Sequence, residues 1–122
     1  MTSTLTPEGA QRLREARDYI QSHPHELTLR AFRSVAVDGT CRYCIAGHIC
    51  RLAGERVSGW RAAELLGFES RRIAGGLAWS EDMHHPARRL FYGGIDEAAQ
   101  DELLHETLER INTFLHSYGY QP

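Results

Sequence analysis

Ten consecutive residues hold all three cysteines of this chain and one of its seven histidines, side chains that can bind a metal or act as nucleophiles. The segment Cys-Arg-Tyr-Cys-Ile-Ala-Gly-His-Ile-Cys places Cys41, Cys44, His48 and Cys50 close together. Cys-x-x-Cys is the commonest half of a structural zinc site. On a helix, Cys44 and His48 would share one face, Cys41 would lie one turn earlier, and Cys50 would point away. Zinc would then need a fourth ligand, for which the chain offers four histidines: His23, His25, His84 and His85.

The same segment has two further interpretations. A cysteine at a helix N-terminus is acidified by the helix dipole, so Cys44 could act as a nucleophile with His48 as its base. Redox chemistry of Cys41 with Cys44 is a variant of this hypothesis. Because unpaired cysteine is among the most buried residue types, packing in the core explains the segment more simply. We therefore expect no catalysis, and if there is any, we expect it at Cys44 and His48.

A second pattern resembles the helix-turn-helix of DNA-binding proteins. It runs from Ala62 to Ile73, with a small residue, Ala63, four positions before the turn glycine. In that interpretation Ser70, Arg71 and Arg72 begin the recognition helix and meet phosphates or guanine edges. Any two helices joined at a glycine give a similar string, so DNA binding is an alternative and not the favoured function.

Local signals predict a mostly helical chain around these residues. Asp38-Gly39 indicates a turn, with strand character just before it, so one short strand or hairpin is expected near residues 34–40. His84 and His85 lie directly before Pro86, and they are explained most simply as polar residues that precede the first turn of a helix. The predicted helices, each with a capping residue or stop signal, are 7–22, 44–53, 58–66, 70–78, a short helix from Pro86, and one from Asp96 to Gly119.

The last predicted helix carries a continuous apolar stripe, formed by Leu104, Leu108, Ile111, Leu115 and Tyr118. Such a stripe predicts either an intramolecular contact or a homodimer interface. Its acidic residues, Asp101, Glu102, Glu106 and Glu109, are expected to be solvated. Four aromatic residues are expected to lie in the core: Trp60, Trp79, Phe91 and Tyr92.

Composition narrows the class of protein. The 122 residues suit one helical domain, 1–122, folded as a compact bundle of about five to six helices. No apolar run approaches the roughly 20 residues of a membrane helix, and the N-terminus lacks a signal peptide, so we expect a cytoplasmic protein with reduced cysteines. The formal net charge of −2 gives no overall attraction to nucleic acid.

The order Gly39-Thr40, Cys44-Ile45-Ala46-Gly47 and Leu65-Leu66-Gly67 resembles small proteins of bacteria and phages that share these motifs. The resemblance covers most of the chain up to Tyr92 and implies kinship without an assigned activity. It makes Cys44 and Gly47 the shared centre, because the position of His48 is often aromatic in those proteins. We expect a non-enzymatic accessory or interaction protein of phage or mobile-element origin, with an unknown protein partner and no cofactor. A zinc-binding or thiol-reactive protein is the further alternative.

Overall fold

The computed structural model describes residues 4–28, 33–35, 37–68, 87, 90–91 and 100–122. In this part of the chain four α-helices and one two-stranded sheet are present, so the protein is mostly helical, as predicted. The count of five to six helices and the extent of a single domain stay predictions. Within the same residues, no helix combines the length and apolar character needed to cross a membrane.

Helix α1 (Pro7–Ser22) begins where its capping signals place it. The Thr6 hydroxyl accepts a hydrogen bond from the Gly9 amide at 3.0 Å, and Pro7 occupies the first helical position, where no amide donor is needed. The helix ends before Pro24, which opens a single 3-10 turn (Pro24–Glu26). Its inner face buries four apolar residues completely: Ala10, Leu13, Ala16 and Ile20.

A short hairpin follows, in which strand β1 (Arg33–Val35) pairs antiparallel with β2 (Cys41–Tyr43). The Asp38-Gly39 turn joins them: Gly39 has φ +89°, and the Asp38 carboxylate accepts from the Thr40 amide at 3.0 Å. The hairpin therefore forms at the predicted place. Strand β2 lies just beyond the predicted range of 34–40, and it places Cys41 on a strand and not on a helix.

Helices α2 (Ile45–Leu52) and α3 (Gly59–Leu65) form a pair after the hairpin. Gly54, with φ +73°, ends α2, and Ser58 caps α3 by accepting from the Arg61 amide at 3.3 Å. Arg61 donates from Nε and Nη2 to the two carboxylate oxygens of Glu55, which ties the connecting loop to α3. Both helices lie where the capping signals place them.

Helix α4 (Gln100–Ser117) packs against α1. Leu103, Ile111 and Leu115 are fully buried, while Leu104, Leu108 and Tyr118 are partly buried against the same core, so the stripe makes an intramolecular contact. Burial of each large aliphatic side chain contributes about 1.5–3 kcal/mol. Asp96, the expected capping residue, lies outside the described residues.

Three long-range hydrogen bonds attach the C-terminal region to the N-terminal one. The Tyr120 hydroxyl donates to the Leu5 carbonyl oxygen at 2.8 Å. Arg14 donates to the Gln121 carbonyl oxygen at 2.9 Å, and Arg17 to the Asn112 side-chain oxygen at 2.9 Å. Among the described elements, helix α1 contacts both α2 and α4.

Two of the four predicted core aromatics lie among the described residues. Phe91 is 3% exposed, and Trp60 is partly buried against the core. Residues 87, 90 and 91 are helical, in agreement with a helix after Pro86. Trp79, Tyr92 and the predicted helix 70–78 lie outside the described residues.

Candidate functional site

The structure distributes the three cysteines over different local environments. Cys41 is half-buried on strand β2, Cys44 is the N-cap of α2 and 5% exposed, and Cys50 is fully buried within α2. The backbone of Cys44 is extended, with φ −77° and ψ −179°, and the helix that contains His48 begins at the following residue, Ile45. Cys41 lies on a strand and therefore not on the helix of His48.

His48 is fully buried and makes a specific long-range contact. Its Nε2 lies 2.8 Å from the Glu26 carbonyl oxygen. A carbonyl only accepts, so Nε2 carries the proton and Nδ1 is unprotonated in the neutral ring. Among the described residues Nδ1 has no hydrogen-bond partner. Burial lowers the pKa of His48 to about 4, so the ring is neutral near pH 7.

Two tyrosines and an arginine surround the His48 ring. The ring centres of Tyr19 and Tyr43 lie 5.6 and 5.4 Å from that of His48. The guanidinium carbon of Arg51 lies 4.2 Å from the Tyr19 ring centre and 5.3 Å from that of Tyr43, in cation–π geometry. The Tyr19 hydroxyl donates to the Glu26 carboxylate at 3.0 Å. We call Tyr19, Glu26, Tyr43, His48 and Arg51 the His48 cluster.

The His48 cluster joins elements that are distant in sequence. Tyr19 belongs to α1, Glu26 to the 3-10 turn, Tyr43 to β2, and the other two residues to α2. The Thr28 amide donates to the Tyr43 carbonyl oxygen at 3.1 Å, which adds a backbone contact beside it. The cluster therefore fixes the base of the hairpin against α1 and α2.

The two buried thiols are held in their protonated form. Burial raises the pKa of Cys44, and this outweighs the lowering by the Ala46 and Gly47 amides at the start of α2. Burial likewise raises the pKa of Cys50, whose sulfur donates to the Ser58 carbonyl oxygen at 3.3 Å. Because the thiolate is the reactive form, this environment opposes nucleophilic chemistry at both residues.

The proposed catalytic and zinc-binding residues lie on several elements of the described structure. Cys41 lies on β2, Cys44 is the N-cap of α2, and His48 lies within α2, where its amide donates to the Cys44 carbonyl oxygen at 2.9 Å. Of the proposed fourth ligands, His23 stacks on Tyr19 with ring centres 4.1 Å apart, and His25 is exposed. The described residues contain no group of three His, Cys, Asp or Glu side chains that could hold a metal ion. His84 and His85 lie outside them.

The first half of the helix-turn-helix-like segment is a helix that ends in a turn. Ala63 is fully buried in α3, and Gly67 adopts φ +103° in the turn that follows. The Phe68 amide donates to the Ala63 carbonyl oxygen at 3.0 Å, which closes the helix end. Ser70, Arg71 and Arg72 lie outside the described residues, so DNA recognition by them stays a prediction.

Sequence reasoning missed the other members of the His48 cluster. Arg51 follows His48 by three positions on one helix, and this spacing predicts that the two share a face. Tyr19 and Glu26 carry no comparable signal, because their contacts depend on how α1 and the 3-10 turn meet α2. Comparison with known proteins returned no matching family model, no matching curated protein and no matching solved structure.

Proposed function

We propose that this chain is a non-enzymatic interaction protein that presents its β1–β2 hairpin to a protein partner. The observation that carries the proposal is the exposure of two valines at the hairpin's far end. Val35 is 63% exposed and Val37 is fully exposed. A strand edge that carries exposed apolar side chains is a template on which another chain can pair.

The base of this hairpin is held in place before any partner arrives. Strand β2 has β1 on one side and, on the other, a bridge between Leu27 and Tyr43. The Tyr43 ring in turn contacts His48 and Arg51. A preorganised hairpin loses little conformational freedom on binding, which favours affinity.

The outer edge of β1 is the backbone surface available for pairing. Strand β2 is bordered on both sides, whereas the described residues place no strand beyond β1. A partner that contributes an extended segment there would gain backbone hydrogen bonds and cover Val35 and Val37. We propose an extended, apolar segment as the class of partner.

In this function the Cys41–Cys50 segment is a support and not a reactive site. Cys44, His48 and Cys50 are 5% exposed or less, and each contributes to the core or the hairpin base. Burial of these three side chains supports a structural role for the segment. Five properties expected from the sequence stay predictions: zinc binding, DNA recognition through Arg71 and Arg72, a homodimer through α4, a phage origin and a cytoplasmic location.

Photocrosslinking tests the proposal in cells that express the protein. A benzophenone amino acid at position 37 is expected to give a discrete protein adduct, because this site faces the partner. The Val35→Ser substitution should weaken that adduct strongly, while the free energy of unfolding changes by less than about 0.5 kcal/mol, since Val35 is exposed.

The matched control carries the same crosslinker at position 105 on α4, where the His105 side chain is 83% exposed. This variant should give no such adduct. Identical adducts from positions 37 and 105, or an adduct at 37 that is insensitive to Val35→Ser, would contradict binding through the hairpin.

A further inference from the structure

A groove with a volume of about 420 Å³ runs along one face of α4, apart from the hairpin. Leu90 lines it opposite residues of α4 that extend from Glu106 to Ser117. At 1.5 Å per helical residue this stretch is about 16 Å long. An extended peptide of about five residues has this length.

The charge of the groove favours a basic ligand. Glu106 forms an ion pair with Arg110 at 2.7 Å. The Glu109 side chain is 71% exposed, and among the described residues its carboxylate has only a surface contact, with His105 at 3.6 Å. Among the residues that the structure describes, the lining thus holds two carboxylates and one guanidinium. The C-terminal end of α4, at Ser117, adds the negative pole of the helix dipole.

Arg110 joins the two walls of the groove. Its Nε donates to the Leu90 carbonyl oxygen at 3.0 Å, and its Nη1 to the Glu106 carboxylate. Because Arg110 neutralises Glu106, the exposed Glu109 carboxylate is the charge that the described part of the groove offers to a ligand.

We infer that this groove binds an extended peptide segment of a partner that combines basic and apolar residues. A basic side chain contacts Glu109, and an apolar side chain lies between Leu90 and Phe114. No residue of β1 or β2 lines the groove, so this interaction is independent of the hairpin function proposed above.

Two matched peptides test the inference on the full chain labelled with ¹⁵N for NMR titration. The probes are acetylated, amidated Lys-Leu-Ala-Leu-Lys and Glu-Leu-Ala-Leu-Glu. The basic peptide is expected to bind at least about fivefold more tightly, with amide shift changes concentrated at Thr113, Phe114 and Ser117.

Three variants locate the interaction. Glu109→Gln should weaken the basic peptide by about two- to fivefold, because it removes an exposed charge contact. Thr113→Arg should weaken it at least about tenfold, because a long cationic side chain fills an exposed position of the groove. Glu15→Gln, an exposed carboxylate on α1, is the control and should change nothing.

Several results would overturn the inference. They are equal binding of both peptides, no binding of either, or shift changes away from α4. Self-association of the peptide-free protein that Thr113→Arg abolishes would also overturn it, because the groove would then hold a second copy of this chain.

Discussion

Acidification from pH 6.5 to pH 4 is expected to lower the free energy of unfolding through His48 by up to about 3 kcal/mol. The folded pKa of His48 is about 4, against 6.5 for the ordinary side chain. Between these values the unfolded chain binds a proton at this residue and the folded chain does not. The contribution of His48 to the free energy of unfolding is therefore at its maximum above pH 6.5. It falls as the pH decreases towards 4, and it changes no further below that. Urea unfolding at pH 7.5 and pH 4.5 measures it.

The His48→Gln variant isolates this contribution from the carboxylates that titrate in the same range. Glutamine keeps an N–H donor that can reach the Glu26 carbonyl oxygen, but it does not titrate. We expect this variant to lose less free energy of unfolding on acidification than the wild type, and the difference should be most of the 3 kcal/mol. His105→Gln, at an exposed position of α4, is the matched control and should retain the wild-type pH dependence. Equal acid sensitivity of His48→Gln and wild type would show that His48 is not buried in its neutral form.

Gly9→Ala is expected to destabilise the protein by about 3 kcal/mol or more. A Cβ atom at Gly9 would lie 2.1 Å from the Leu66 carbonyl oxygen and 2.5 Å from the carbonyl carbon, both backbone atoms that cannot rotate away. The Thr6 amide also donates to the Leu66 carbonyl oxygen at 3.1 Å, which fixes the approach of α1 to the end of α3. Replacing glycine by alanine in a helix gains about 1 kcal/mol in propensity, so the steric clash decides the sign.

Thermal and urea unfolding of Gly9→Ala and of Gln11→Ala measure this effect. Gln11 is exposed two residues further along α1, so its replacement should change the free energy of unfolding by less than about 0.5 kcal/mol. If Gly9→Ala were as stable as the wild type, this would contradict the short distance between the backbones of Gly9 and Leu66.

The helices among the described residues were predictable because their ends depend on local chemistry. Thr6 and Pro7 start α1 and Ser58 caps α3, and glycines 54, 67 and 119 follow three helices with positive φ angles. These signals act over a few residues, so they can be recognised without knowledge of the tertiary structure. The Asp38-Gly39 turn predicted the hairpin for the same reason.

The site was harder to predict because its contacts are long-range. The side chains of Cys41, Cys44 and His48 would converge at this spacing only if all three residues lay on one helix. Cys41 is instead drawn into β2 by pairing with Val35, and Cys44 has an extended backbone at the N-cap. The Glu26 contact of His48 spans 22 residues, and no local pattern indicates it. The sequence thus identified the segment and favoured its packing in the core, but it did not indicate the long-range contacts that surround His48.

The most direct measurement is native mass spectrometry of the purified protein combined with thiol counting before and after unfolding. If the Cys41–Cys50 segment supports the core and the hairpin base, the protein is expected to be free of zinc. Half-buried Cys41 should then react first with a thiol reagent, while Cys44 and Cys50 react only after unfolding. A stoichiometric zinc ion that is lost on unfolding, or a Cys44 thiol that reacts faster than Cys41 in the native protein, would contradict this structural role.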